Sequence, residues 1–159
     1  MRGYLLDTNH VSAYFDKLPS FEAKLASARP DWLFWISAVS LGEIEASYAI
    51  TNRDREVIRG FRRFVWATFL TGPDGDSFVL PIDVNTRDWY AKVISRIWKV
   101  SPPAGGNTRT EAHLTHLGVD INDVWIVATA WKHNLILLTT DRMKAIREVV
   151  PELNVDDWT

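Results

Sequence analysis

Four short apolar runs, residues 3–6, 32–36, 78–80 and 135–138, are each too brief for a helix and are flanked by turn-forming residues. Between them lie longer stretches with helical spacing, over residues 8–15, 21–28, 39–50, 53–70, 86–100, 124–133 and 143–149. Strands separated by helices return by crossover, which constrains the chain to a parallel sheet covered on both faces. The expected fold class is α/β, with a central parallel sheet of four strands flanked by helices on both faces, and residues 153–155 are suited to a fifth strand at the edge.

Pro19, Pro30, the Gly72-Pro73-Asp74-Gly75 turn and the Ser101-Pro102-Pro103-Ala104-Gly105-Gly106-Asn107 loop each stop a helix. None is long enough for a domain linker, so the 159 residues read as one domain, 1–159, with the Pro/Gly-rich loop expected to be its most mobile part. The chain has no cysteine, which excludes disulfides and thiolate zinc sites and leaves oxygen or imidazole as metal ligands. The stretch 1–9, broken by Asp7, fits neither a signal nor a transit peptide. No apolar run approaches the ~18 residues of a membrane span, so a cytoplasmic protein with no membrane partner is expected. A net charge of −2 provides no global excess of Lys and Arg for phosphates, so any nucleic-acid contact must rest on a local patch.

In open parallel sheets ligands bind at the carboxyl ends of the strands. Asp7, in Tyr4-Leu5-Leu6-Asp7-Thr8-Asn9, and Asp141, in Leu137-Leu138-Thr139-Thr140-Asp141, both follow a predicted strand. Each can equally be a helix N-cap. Glu43 pairs with Ser40 in a possible capping box; alternatively Ser37 caps the helix and Glu43 lies in its second turn. In the second case Glu43 shares a face with Val39, Ala46 and Ile50 while Glu45 points ~160° away, and a glutamate in an apolar stripe needs a cation. Asp123 precedes Val124-Trp125-Ile126-Val127-Ala128-Thr129-Ala130-Trp131, which is apolar nearly all round, with Asn122 as an alternative cap and Asp120 as an alternative acid. Four acids converging on one sheet edge would repel one another, and a hard divalent cation such as Mg²⁺ or Mn²⁺ would relieve the repulsion.

These segments together resemble the PIN-domain ribonucleases and, among them, the VapC toxins of toxin–antitoxin pairs. The resemblance covers nearly the whole chain and rests on Leu5-Leu6-Asp7-Thr8-Asn9, on Ser37 through Glu43, on Asn122 through Ala130, and on Leu138-Thr139-Thr140-Asp141. It implies a PIN-like nuclease domain in which Asp7, Glu43, Asp123 and Asp141 are catalytic and hold Mg²⁺ or Mn²⁺ for hydrolysis of RNA phosphodiesters. Thr8, Asn9 and Thr139 match supporting positions. The implied partners are an RNA substrate, a cognate antitoxin, a second copy of the chain in a homodimer, and operator DNA reached only through the antitoxin. The chain departs from the family pattern in the long 101–116 segment, at Trp125, and where Met143 follows Arg142. Two other readings keep the fold: a catalytically silent module that binds RNA or a partner, and a metal-dependent phosphoesterase acting on DNA or phosphate monoesters.

Arg55, Arg59 and Arg62 follow helical spacing, with Arg53 and Arg63 nearby, and form a candidate RNA-binding stripe. Asp54 and Glu56 interleave with them, so a solvated, ion-paired face is the competing reading. His10 is near enough to Asp7 in sequence to approach a metal, though most such histidines are structural, and His113 and His116 would share a face if their segment is helical. Trp89, Trp98, Trp125 and Trp131 lie in apolar helical stretches that suit core or dimer packing.

Overall fold

The computed structural model describes residues 3–72, 74–104, 110–141 and 143–159. Pro73 of the predicted turn, residues 105–109 of the Pro/Gly-rich loop and Arg142 lie outside the described residues. Five parallel strands, β1 (Gly3–Leu6), β2 (Leu33–Ser37), β3 (Val79–Leu80), β4 (Ile136–Leu138) and β5 (Val155–Asp156), stand in the order β3-β2-β1-β4-β5. Both the parallel sheet and the edge strand at its C-terminal end agree with the sequence pattern.

The helices are α1 (Thr8–Phe15), α2 (Pro19–Ser27), α3 (Ala38–Thr51), α4 (Arg55–Val65), α5 (Val84–Val100), α6 (Thr110–His116), α7 (Ile121–His133) and α8 (Lys144–Val149). A π-helical turn, Trp66–Leu70, continues α4, which accounts for the single helix expected over 53–70. Asp83 extends α5 two residues before its expected start by accepting hydrogen bonds from the Thr86 backbone and hydroxyl, and Thr86 Oγ1 accepts in return from the Asp83 N–H. Asn52 and Asn134 close α3 and α7 in the left-handed conformation that suits a helix C-terminus.

Alternation along the strands divides the interior into two cores. Leu5 and Leu137 face a core with Val93, Ile97, Val127 and Ile146 from α5, α7 and α8. Tyr4, Leu6, Ile36 and Leu138 face the other, with Val11, Phe21, Ile44 and Phe61 from the first four helices. Burial on both faces is why the strands read as continuous apolar runs. Gly3 permits a close approach of β1 to β2: a Cβ there would lie 2.1 Å from the Leu33 carbonyl oxygen.

Candidate active site

The chain runs outward from β1 through β2 to β3 and then returns to place β4 and β5 on the other side of β1, so the strand order reverses around β1. The carboxyl ends of β1 and β4 therefore flank the crevice that such a reversal opens. Asp7 follows β1, Thr139 and Asp141 follow β4, and α3, which carries Glu43, begins directly after β2. Helix α7 precedes β4 and must run back against it, which brings its first turn, with Asp123, to the same edge.

Asp7 is 5% exposed and serves both roles the sequence left open. It caps α1 through Oδ1, which accepts from the Thr8 N–H at 2.6 Å, and its Oδ2 accepts from the Thr139 hydroxyl at 2.7 Å. Thr139 Oγ1 also accepts from the Asp141 N–H at 3.0 Å, so one hydroxyl ties the loop after β4 to the end of β1. Asn9 adds a second tie, donating from Nδ2 to Thr140 Oγ1 at 3.0 Å. Burial pushes the Asp7 carboxyl above its ordinary range, against the lowering effect of its hydrogen bonds from Thr139 and Thr8, and the nearby Asp141 charge raises it further. Asp141 is solvent-exposed, and its Oδ1 accepts from the Met143 N–H at 3.1 Å ahead of α8.

The alternatives for Glu43 resolve in favour of the second turn. Ser37 caps α3, its Oγ accepting from the Val39 N–H at 3.1 Å, while Ser40 is buried inside the helix and its hydroxyl has no partner among the described residues. Glu43 reaches across to two other elements: Oε2 accepts from the Thr8 hydroxyl and Oε1 from Asn122 Nδ2 at 2.9 Å. At α7 the cap is Asp120, whose Oδ1 accepts from the Asn122 N–H at 2.8 Å, so neither Asn122 nor Asp123 caps that helix.

Asp123 differs from the other three acids. No hydrogen bond or ion pair with a described residue reaches its half-buried carboxylate. Burial, followed by the charges of Asp141, Asp7, Asp120 and Glu43, raises its pKa to about 7. The four acids of the sequence reading thus lie close enough to act electrostatically on one another, and no Lys or Arg among the described residues pairs with any of them. Among the described residues, no three Asp, Glu, His or Cys side chains already stand at metal-holding distance. The donor set is nevertheless chemically suited to a hard divalent cation: it is all oxygen, rich in negative charge and short of one neutralising partner.

Other sequence candidates fall elsewhere. His10 does not approach the acids: it is fully buried, and its Nε2 accepts from the Trp158 N–H at 3.0 Å, because the C-terminal segment folds back over α1. Burial lowers its pKa, partly opposed by the charges of Asp157 and Asp156. His113 lies on α6 against Trp98 and meets the Ser101 carbonyl oxygen through Nε2 at 2.6 Å. Arg55, Arg59 and Arg62 line a cavity of about 380 Å³ together with Ile58. Arg62 forks onto both Glu45 oxygens at 2.9 and 2.6 Å and Arg59 pairs with Glu56, so much of the stripe's charge is already matched. Trp125 stacks on Tyr90 at 4.0 Å between ring centroids, and Trp89 meets Trp131 edge-on at 4.8 Å, both as packing contacts. Sequence reasoning missed the Asn122 contact with Glu43 and the capping role of Asp120; the Asp-x-Asn spacing at the start of an apolar helix was the available signal.

Comparison with known proteins matches residues 4–149 to the model of the PIN domain. Among solved structures, VapBC-1 from nontypeable Haemophilus influenzae aligns with a TM-score of 0.67 and 19% identity, over 99% of this chain and 98% of that one. VapBC2 from Rickettsia felis, bound to a DNA fragment from its promoter, aligns with 0.65 and 18% over the whole of both chains. DNA-bound VapBC from Salmonella typhimurium aligns with 0.63 and 16%, again over the whole of both. These likenesses establish the shared fold. No curated protein matches the sequence.

Proposed function

The chain belongs to the PIN-domain family, and on that premise we propose that it is an endoribonuclease dependent on Mg²⁺ or Mn²⁺ that acts as the toxin of a toxin–antitoxin pair. The observation that carries the reading is Asp123, a carboxylate with no partner among the described residues, crowded by Asp7, Glu43, Asp120 and Asp141. Such an arrangement destabilises the metal-free protein and is worth keeping only where charge neutralisation is the purpose.

In this reading Asp7, Glu43, Asp123 and Asp141 hold the cation, and Thr8, Asn9 and Thr139 orient them through the hydrogen bonds described above. The bound cation would lower the pKa of water and offset the negative charge that builds on the phosphate during in-line displacement. Thr139 and the Thr8 N–H hold the two Asp7 oxygens in fixed directions, so this carboxylate need not reorganise when substrate arrives. Arg55, Arg59 and Arg62 provide a basic surface for RNA phosphates, with Arg59 and Arg62 exchanging a carboxylate for a phosphate on binding.

Partner binding is supported by a second feature. Ile50 on α3 and Trp66, where α4 passes into the π-helical turn, are 82% and 62% exposed, and each is a large apolar side chain that a protein partner would shield from water. The DNA-bound VapBC assemblies support a cognate antitoxin as that partner. A homodimer of this chain that meets operator DNA through the antitoxin completes the proposal.

The test is incubation of the purified protein with a cellular RNA pool, DNA and a chromogenic phosphate ester, with Mg²⁺ or Mn²⁺ and with chelator. RNA alone is cut, and cutting is lost in chelator and in Asp7→Asn. Absence of RNA cleavage, or full cleavage by Asp7→Asn, refutes the proposal. Replacing Arg55, Arg59 and Arg62 with Gln lowers RNA affinity and flattens its salt dependence by roughly one slope unit per lost phosphate contact.

A further inference from the structure

We infer that Asn122 is a positioning residue: with Thr8 it clamps the Glu43 carboxylate from both sides and so sets the affinity of the cation site. The inference rests on the metal-dependent reading above. Glu43 has a long side chain with several rotatable bonds and no intrinsic reason to point at one place. In the structure both of its oxygens are engaged by donors from other parts of the chain, Oε2 by the Thr8 hydroxyl 35 residues earlier and Oε1 by the Asn122 amide 79 residues later.

Both donors are themselves fixed. Asn122 lies in the first turn of α7, its backbone N–H satisfied by Asp120 Oδ1 at 2.8 Å, and the following Val124, Ile126 and Val127 are fully buried. The Thr8 backbone is held by Asp7 at 2.6 Å. The polarity of the contact follows from chemistry: an ionised carboxylate only accepts, so the amide must present its nitrogen to Glu43. Asn122 therefore supplies a neutral donor where a lysine or arginine would neutralise Glu43 and compete with a cation. Loss of such outer hydrogen bonds typically weakens metal binding about 10–100-fold.

The experiment uses the full chain and Mn²⁺ alone, with the rise in melting temperature as readout. In Asn122→Ala the Mn²⁺ concentration at half-maximal rise moves up about 10–100-fold while the metal-free melting temperature stays close to wild type; Asn122→Asp shows the same upward shift from a lower metal-free melting temperature, because it sets a like charge against Glu43. Both residues are accepted in a first helical turn, so folding is retained. An unshifted midpoint overturns the inference, whether or not the metal-free protein is destabilised. An Asn122→Asp midpoint at or below wild type overturns it in favour of Asn122 as a direct oxygen ligand. A second measurement needs no metal: the side-chain amide resonances of Asn122 shift in Glu43→Ala, and unchanged resonances refute the clamp. Wild-type protein that ignores Mn²⁺ defeats the nuclease proposal, while the resonance test still decides the contact.

Discussion

Replacing Asp123 by Asn should make the metal-free protein more stable, and only at neutral and alkaline pH. The Asp123 carboxyl ionises near 3.8 in an open chain and at about 7 in the fold, because burial and four surrounding acids oppose its charge. The folded state therefore binds this proton more tightly than the unfolded state. The group's full contribution to stability is present below 3.8, shrinks as pH rises toward 7, and stays lost above it. A fully shielded carboxyl displaced this far would cost on the order of 4 kcal/mol. Asp123 is half-buried, and solvent screening reduces the cost to about 1–2 kcal/mol.

Asparagine has nearly the same shape as protonated aspartic acid and carries no charge at any pH. In chelator at pH 8 the variant should melt higher than wild type by about 2–8 °C, given roughly 2–4 °C per kcal/mol for a domain of this size. At pH 3, below the unfolded pKa, the gap should nearly close. His10 also titrates across this range, but it is present in both proteins and cancels in the difference. Saturating Mn²⁺ should reverse the order, since a ligand at about 100 times its Kd adds about 2.7 kcal/mol to the wild type and little to the variant. Thermal unfolding of both proteins at both pH values, with and without Mn²⁺, provides the four comparisons. A variant no more stable than wild type at pH 8, or one with the same gain at both pH values, refutes the account of a repelled carboxylate.

Thr139→Val should cost about 1–3 kcal/mol, because it removes a donor from buried Asp7 and the acceptor of the Asp141 N–H, whereas Thr139→Ser should retain most of the stability in urea unfolding. His10 is held neutral by burial, so its contribution is full above about pH 6.5 and lost as pH falls below it; Trp158 fluorescence should report release of the C-terminal segment in mild acid, and His10→Phe should remove that acid step. Gly3→Ala should destabilise by about 3 kcal/mol or more, since its Cβ would lie 2.1 Å from the Leu33 carbonyl oxygen, and a melting temperature equal to wild type would refute the close packing of β1 on β2.

What the sequence discloses is what local periodicity encodes. Leu5, Leu6, Leu137 and Leu138 are fully buried between two layers of helices, so their runs read as strands and place Asp7 and Asp141 at strand ends without any knowledge of pairing. Helix α7 is legible as a buried helix from its apolar circumference, but its start is not, because Asp120, Asn122 and Asp123 all suit a first turn and the hydrogen bond from the Asn122 N–H to Asp120 that decides among them leaves no trace in the periodicity. Helix α6 was obscured by its seven-residue length, too short for periodicity to register. His10 follows Asp7 by three positions, yet α1 turns it toward Phe21 and Trp158, the structural role that the sequence favours for such a histidine.

The same division explains why the carboxylates were easier to find than the residues that aim them. An acid at a strand end is conspicuous because charge there conflicts with its apolar surroundings, and the conflict is visible in the sequence. A threonine or asparagine at the same edge raises no conflict, since it can always be satisfied locally by a cap or a turn. The contacts that join Thr8 and Asn122 to Glu43 exist only because β1, β2 and β4 lie side by side, which brings the segments after β1 and β2 to the start of α7, the helix that leads into β4. Orientation of the acidic edge is thus a property of sheet order, not of any motif. Substitutions that slip β4 against β1 by one register should therefore disable the site with every acid intact, because Thr139 would no longer face Asp7.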